Sequence, residues 1–216
     1  VILMMIFATG IAKTGLIDRI AFNTLKFFPA TYTGMVVAIM ATSTILSPIV
    51  PNSYSKCAVL GPFAASVAKA NNIEKGSKAA AGLFCAFFVP AAIHTMAFLT
   101  GSAMTFVLIG MMGEGYSFSW FGWFMCCSVW FAVNLVLTFL FILVYYRPKE
   151  KLNISKDLIN RKIAELKPMN SDEKAASVIL ILSILLWITG SYTGLKPYTV
   201  AALAFCAMFL KGIFTM

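Results

Sequence analysis

The sequence predicts an all-α polytopic membrane protein, that is, a chain whose helices cross the bilayer several times. Of its 216 residues, 60% are hydrophobic and only 12% are charged, and the mean hydropathy is +0.87. Soluble domains carry roughly 25% charged residues. Long apolar runs also recur along the chain, and a helical span needs about 20 such residues to cross a hydrocarbon core of about 30 Å.

The positive charges predict the orientation of these helices. The chain has 17 Lys and Arg against 8 Asp and Glu, a net charge of +9. Most of them lie in short loops, where they set topology, so we expect no nucleic-acid partner. The positive-inside rule places residues 13–26, 69–78 and 147–174 in the cytoplasm. We expect a multi-pass protein of the cell inner (plasma) membrane, with the lipid bilayer as its solvent.

The first elements are the end of a spanning helix and a helix at the membrane interface. Residues 1–12 are apolar, and residues 17–28 place apolar side chains at helical spacing opposite charged ones, which is typical of an interface helix. The sequence begins and ends within apolar runs. We therefore expect residues 1–216 to be a single transmembrane region and a fragment of a longer protein.

Residues 31–70 predict a re-entrant helical hairpin. Its uninterrupted apolar arms, 35–46 and 57–68, each reach only about 18 Å at 1.5 Å per residue. Two prolines and the polar run 52–56 separate the arms. Irregular backbone at membrane depth is tolerated where protein or a watery cavity covers it, and it is typical of transporters. Two full spans would leave the loops on the same sides, so arm length and the polar tip alone favour the re-entrant form.

Residues 79–112 predict a broken transmembrane helix. One straight helix of this length would reach about 50 Å, which is too long for a simple span. We expect a helix to about Leu99, a partly unwound stretch at 100–105, and a short second helix. Small hydroxyl residues around Gly101 would expose carbonyl groups to a cation, although close helix packing explains the same composition.

The rest of the chain predicts three further spans around one polar loop. Aromatic residues flank the first of these spans as an interfacial belt, and residues 147–174 are expected to form a cytoplasmic loop. Within it, Asn170 offers an N-cap for the next helix. The three spans are expected at residues 120–146, 175–188 and 198–214.

The hairpin tip offers groups for both an anion and a cation. The N-terminus of the second arm presents free N–H groups, which favour a carboxylate. The C-terminus of the first arm presents carbonyl groups, which suit Na⁺. The alternative is a simple kink whose polar groups lie in a cytoplasmic loop. Neutral hydrogen-bonding side chains at the tip are those of Ser47, Asn52, Ser53 and Tyr54.

His94 is the only histidine, and it lies inside the predicted broken helix. Such a residue would relay a proton, or would simply hydrogen-bond a neighbouring helix. The sequence contains no GxSxG, HExxH or Walker motif, so we expect neither an enzyme nor a cofactor. A membrane-embedded enzyme that uses Ser53 or His94 is the alternative from another class.

Residues 51–56 and 98–106 carry a family resemblance. The first run, Pro-Asn-Ser-Tyr-Ser-Lys, is similar to the Pro-Ser-Asn-Thr tip of the divalent-anion:sodium symporter family, which a small residue and often a basic residue follow. The second, Phe-Leu-Thr-Gly-Ser-Ala-Met-Thr-Phe, is similar to its Phe-Leu-Thr segment and the following Ala-Met-Ala-x-Asn-Pro. The 2-oxoglutarate/malate translocator and citrate/dicarboxylate branch fits best. In this chain the Ser-Asn order is reversed, and Tyr54 replaces threonine.

The resemblance implies a secondary active transporter of di- and tricarboxylates of the malate, succinate and 2-oxoglutarate class. It implies alternating access, with sodium-coupled symport or anion exchange, in a homodimer of which this chain is the N-terminal half of each subunit. A transporter of another ion or solute, coupled to protons through His94, is the alternative. The residues implied are Asn52, Ser53 and Tyr54 for the small anionic substrate, and Ser47, Asn52, Ser53, Thr100, Gly101 and Thr105 for sodium.

Overall fold

The regular elements of the computed structural model are all helical, which confirms the predicted all-α class. The structure describes residues 2–29, 31–50, 53–113, 118–148, 157–166 and 168–214. In chain order the helices are α1 (Ile2–Lys13), α2 (Leu16–Lys26), α3 (Tyr32–Leu46), α4 (Ser53–Ala70), α5 (Lys78–Ala92), α6 (Ala103–Met111), α7 (Trp120–Tyr145), α8 (Asp157–Glu165), α9 (Ser171–Ile188), α10 (Gly190–Thr193) and α11 (Pro197–Leu210), with a 3-10 turn at His94–Ala97 after α5.

The helices form two packed groups. Helices α3, α4 and α7 pack around α5, and helices α1, α9 and α11 pack on one another. The indole rings of Trp120 and Trp187 stack between the groups, with centroids 6.4 Å apart. Trp187 also meets the edge of Phe7 from α1. Aromatic contacts therefore join the two groups near the start of α7.

Helices α3 and α5 run in the same direction. At the start of both helices, the Tyr32 hydroxyl donates to the Ala79 carbonyl oxygen at 3.1 Å. Towards the ends of both helices, the Ser43 hydroxyl donates to the Phe87 carbonyl oxygen at 3.2 Å. The end of α3 therefore lies beside the later part of α5.

Helix α4 runs opposite to α5, and therefore opposite to α3. At its first residue, the Ser53 hydroxyl donates to the Ala91 carbonyl oxygen near the end of α5, at 2.7 Å. Towards its other end, Ala68 lines the same cleft as Ala80 from the first turn of α5. Helices α3 and α4 thus form an antiparallel hairpin, with its tip beside the end of α5.

Helix α7 gives a measure of how far the hairpin reaches. Its 26 residues extend about 39 Å at 1.5 Å per residue, and it and the stretch Lys78–Ala97 are long and apolar enough to cross a membrane. Phe131, near the middle of α7, packs edge-on against His94, with ring centroids 5.4 Å apart. His94 in turn contacts Thr44 in the last turns of α3. The end of α3 is therefore level with the middle of α7.

The helix break after α5 begins earlier than the sequence predicts. Helix α5 ends at Ala92 rather than near Leu99, and α6 has already begun at Ala103. Between them lie the 3-10 turn and an extended residue, Phe98. Pro90 in the last turn of α5 has no N–H to donate and weakens the helix locally, which accounts for the early end.

An ion pair connects the amphipathic helix α2 to the start of α9. Arg19 Nε donates to Glu173 Oε1 at 2.9 Å, and Nη2 donates to Oε2 at 3.1 Å. Glu173 also completes a capping box with Asn170, the N-cap that the sequence predicts. The hydrogen bond from Arg19 holds the pKa of the Glu173 carboxyl below its ordinary value.

Candidate functional site

The two broken segments meet, and side-chain hydroxyl groups join them. The Thr100 hydroxyl, from the break after α5, donates to the Pro48 carbonyl oxygen in the turn after α3, at 2.8 Å. The Ser53 hydroxyl makes the second link, to the Ala91 carbonyl oxygen. We call this contact region, residues 47–50, 53 and 91–102, the junction. Its existence explains how backbone freed from helical hydrogen bonding is satisfied inside the protein.

Gly101 lets the two backbones approach closely. A Cβ atom at this position would collide with the carbonyl oxygen of Thr95 and would lie 2.8 Å from the carbonyl oxygen of Ser47. Both obstacles are backbone atoms, which do not move aside as a flexible side chain would. Glycine is therefore required here by space, and two carbonyl groups converge on it.

Three further side chains donate hydrogen bonds to oxygen atoms of the break after α5. Thr95 Oγ1 donates to the Ala92 carbonyl oxygen at 3.3 Å, and Trp123 Nε1 donates to the Met96 carbonyl oxygen at 3.0 Å. Trp120 Nε1 donates to Thr100 Oγ1 at 3.0 Å. The start of α7 thus supports the break through two tryptophan side chains.

The structure brings four of the six residues proposed for sodium into the junction. Ser47, Thr100 and Gly101 are buried there, and Ser53 is half-buried. Thr105 is buried in the first turn of α6, and Asn52 lies outside the described residues. The Ser47 hydroxyl donates to the Ser43 carbonyl oxygen at 2.9 Å, within its own helix.

Tyr54 points away from the junction. Its side chain is 85% exposed, whereas Ser53, its neighbour on α4, contacts α5. Successive residues of a helix face different directions, so the two cannot both face α5.

His94 is fully buried within the junction. Its Nδ1 lies 3.3 Å from Thr44 Oγ1, and which of the two donates depends on the tautomer. Its Nε2 is buried without a hydrogen-bond partner among the described residues. A buried ring nitrogen without a partner is costly, and such groups call for a specific explanation.

Lys56 is the residue of the site that sequence reasoning missed. In the sequence, Lys56 belongs to the polar run 52–56 at the hairpin tip, yet its side chain is fully buried. Its Nζ donates to Ser47 Oγ at 3.3 Å, and no carboxylate of the described residues forms an ion pair with it. Lys56 follows Ser53 by three residues, so both lie on one face of α4. That spacing reveals the direction of Lys56 only once the contact of Ser53 with α5 is known.

This lysine changes the electrostatics of the predicted sodium ligands. The Ser47 hydroxyl oxygen already accepts a hydrogen bond from an ammonium group. Two unit charges 4 Å apart repel by about 4 kcal/mol at an effective dielectric constant of about 20. A sodium ion on the same oxygen would therefore compete with the Lys56 ammonium.

Paired helix breaks that meet inside an otherwise apolar helical protein are a feature of membrane transporters. The chain belongs to the sodium:sulfate symporter family, because the model of that family's transmembrane region matches residues 1–216. It is accordingly an integral membrane protein of a transporter family and not an enzyme.

The curated relatives agree with this assignment. The chain is 28% identical to dicarboxylate transporter 1 of chloroplasts from Spinacia oleracea, over 97% of the chain and 38% of that protein. It is 24% identical to the putative malate transporter YflS of Bacillus subtilis, over 100% of the chain and 47% of that protein. An uncharacterized transporter of Haemophilus influenzae is 27% identical over 94% of the chain and 43% of its own length. The chain thus spans less than half of each.

Proposed function

We propose that this chain is part of a secondary active transporter of di- and tricarboxylates of the malate, succinate and 2-oxoglutarate class. The observation that carries the proposal is the junction, in which two broken segments of a symporter-family chain are hydrogen-bonded to each other. Relatives named for dicarboxylates and malate support the substrate class. Transport would proceed by alternating access, with sodium-coupled symport or anion exchange as the mode.

We propose that the substrate binds at the hairpin tip. Ser53 begins α4, and free N–H groups at a helix N-terminus favour a carboxylate. Asn52 and Tyr54 would add hydrogen bonds from the neighbouring positions, and the convergent carbonyl groups at Gly101 would supply the cation side. A second, inverted hairpin in the remainder of the transporter would complete the walls of the site.

Two further parts of the proposal concern location and assembly. We place the protein in the cell inner (plasma) membrane and expect a homodimer, as the family resemblance implies. Helix α7 exposes apolar side chains along most of its length, so lipid, the rest of the subunit or a second subunit would cover it.

A proton-coupled transporter is the second candidate, and one observation favours it. His94 is buried at the junction with Nε2 unpartnered among the described residues, and ionisable side chains within membrane segments mark proton relays in pumps and transporters. In that case, His94→Ala would abolish transport, and a pH gradient rather than a sodium gradient would drive the flux.

The test is uptake of radiolabelled malate by the complete transporter in proteoliposomes, with a sodium gradient or with internal unlabelled malate. Ser53→Ala is expected to lower the rate roughly five- to tenfold, since a net hydrogen bond contributes about 1 kcal/mol and 1.4 kcal/mol is a factor of ten. Ser66→Ala is the matched control, because the Ser66 hydroxyl makes a similar hydrogen bond, to Pro62, in the same helix but far from the tip. Wild-type protein that moves no dicarboxylate under either condition would sink the proposal.

A further inference from the structure

We infer that Trp120 is a positioning residue of the transport site: its indole N–H fixes the direction of the Thr100 hydroxyl group, which holds the hairpin. The inference rests on the proposed function, in which substrate and cation bind at the junction. It follows from the direction of two consecutive hydrogen bonds, from the burial of the groups that form them, and from the rings that hold the indole.

Two hydrogen bonds meet at the hydroxyl oxygen of Thr100. Trp120 Nε1 donates to Thr100 Oγ1 at 3.0 Å, and Thr100 Oγ1 donates to the Pro48 carbonyl oxygen at 2.8 Å. An indole N–H is a donor only, whereas a hydroxyl group has one proton and two lone pairs. The Thr100 proton therefore cannot be donated to Trp120, and it is directed to the carbonyl oxygen of the hairpin.

This arrangement leaves Thr100 Oγ1 with an acceptor position inside the junction. The N–H of Trp120 uses one of the two lone pairs, and the second is available to a cation. Thr100 is only 2% exposed, and the next residue is Gly101, on which two carbonyl groups converge. Without the indole N–H, the hydroxyl group would be free to rotate, and neither its proton nor its lone pairs would keep a fixed direction.

Aromatic rings hold the Trp120 indole in place. The side chain is buried, and its ring stacks on Trp187 of α9 with centroids 6.4 Å apart. The ring of Phe98, from the break itself, lies 6.1 Å from it. A functional group is held precisely when packing locks the side chain that carries it. If Trp120 only filled the space between these rings, its ring would matter and its N–H would not.

The first measurement removes the N–H and keeps the ring. In the complete transporter, benzothienylalanine at position 120 has sulfur in place of the indole N–H and still stacks on Trp187. Uptake of radiolabelled malate by proteoliposomes, per folded protein, is expected to fall roughly fivefold, as for the loss of one net hydrogen bond. The same analogue at Trp130, an exposed position of the same helix, is the matched control and is expected to transport at the wild-type rate. A wild-type rate with the analogue at position 120 would overturn the inference.

The second measurement tests whether Trp120 acts through Thr100. Thr100→Val keeps nearly the same shape without the hydroxyl group, whereas Thr100→Ser keeps the hydroxyl group. Trp120→Phe is expected to lower the rate roughly fivefold in the wild type and in Thr100→Ser, and to cause no further loss in Thr100→Val, since the effects of residues in direct contact are not additive. An equal loss in all three backgrounds would overturn the inference, because Trp120 would then act through its packing.

Thermal unfolding of the same proteins separates a role in transport from a role in folding. The analogue at position 120 is expected to melt within a few degrees of the wild type, while the transport rate per folded protein falls. A lower melting temperature with a wild-type rate per folded protein would overturn the inference, since the N–H would then only hold the fold. These results leave the proposed function standing, whereas wild-type protein that moves no malate, with a sodium gradient or with internal malate, would overturn the proposed function and the inference with it.

Discussion

At the scale of single residues, side-chain hydroxyl groups at the junction donate to backbone carbonyl oxygens, as backbone N–H groups do within a helix. Helix breaks leave backbone carbonyl groups without helical partners, and an unpaired buried group costs about 1–3 kcal/mol. At the junction, Thr100 supplies a donor to Pro48, and Ser53 supplies one to Ala91. The composition that favours ion binding therefore also holds the two breaks together.

Gly101 gives the sharpest prediction at this scale. In Gly101→Ala, the new Cβ would collide with the backbone of Thr95 and Ser47, and overpacking of this kind costs about 1–3 kcal/mol. We expect a lower melting temperature of the detergent-purified transporter and a loss of malate transport. Gly110→Ala is the control, because no atom lies within 4 Å of the corresponding Cβ position. Equal melting temperatures for the two variants would show that the junction is looser than the structure has it.

At the scale of helices, the ion pair between α2 and α9 is the strongest polar connection between distant parts of the described chain. Arg19 contacts Glu173 through two nearly parallel hydrogen bonds, a geometry that is stronger than a single contact. Helix α2 also packs on α3. The amphipathic helix therefore connects the hairpin group with the group of α1, α9 and α11.

This connection predicts a pH-dependent contribution to stability. Since the pKa of Glu173 is lowered in the folded protein, its stabilisation is complete above the unfolded carboxyl value of about 4.3 and is lost as the pH falls through the folded value. Glu173→Gln keeps the capping box, because glutamine also serves at this position, but it removes the charge. We expect it to melt below the wild type at neutral pH and the difference to shrink below about pH 4.3.

The comparison that checks this prediction is a series of melting temperatures against pH. The neighbouring exposed carboxylate variant Asp172→Asn serves as the control and is expected to change little. A difference between Glu173→Gln and wild type that stays constant down to low pH would mean that the charge of Glu173 does not stabilise the protein.

The helices also show what the sequence could and could not predict. The all-α class and the Asn170 cap follow from composition and local pattern. The sequence does not predict the end of α5 at Ala92, because the apolar run resumes after His94 and Thr95, whereas the structure has a 3-10 turn at His94–Ala97. The burial of Lys56 was not foreseen either, since a lysine in a polar run gives no sign of its direction until the tertiary packing of α4 on α5 is known. Tertiary contacts decide the burial of Lys56, whereas Pro90 is a local signal for the end of α5.

At the scale of the whole molecule, we propose that the hairpin of α3 and α4 is re-entrant. Helix α3 has 15 residues, about 22 Å at 1.5 Å per residue, which is short of a hydrocarbon core of about 30 Å. Through His94, its end is level with Phe131 near the middle of α7. Both observations support a re-entrant hairpin whose tip lies at membrane depth.

Cysteine labelling in intact cells tests the depth of the tip. In the complete transporter without its native cysteines, single cysteines would replace Lys75, Tyr54 and Lys196, all exposed in this chain. With a bulky, membrane-impermeant polyethylene glycol maleimide, we expect Lys196→Cys to react from outside and Lys75→Cys only after permeabilisation, as the positive-inside rule requires. Tyr54→Cys is expected to remain unlabelled from outside, because a tip at membrane depth is closed to a reagent of that size. If Tyr54→Cys reacted from outside as fast as Lys196→Cys, α3 and α4 would be two full spans, and the short reach of α3 would have to be made up by a thinner bilayer around it.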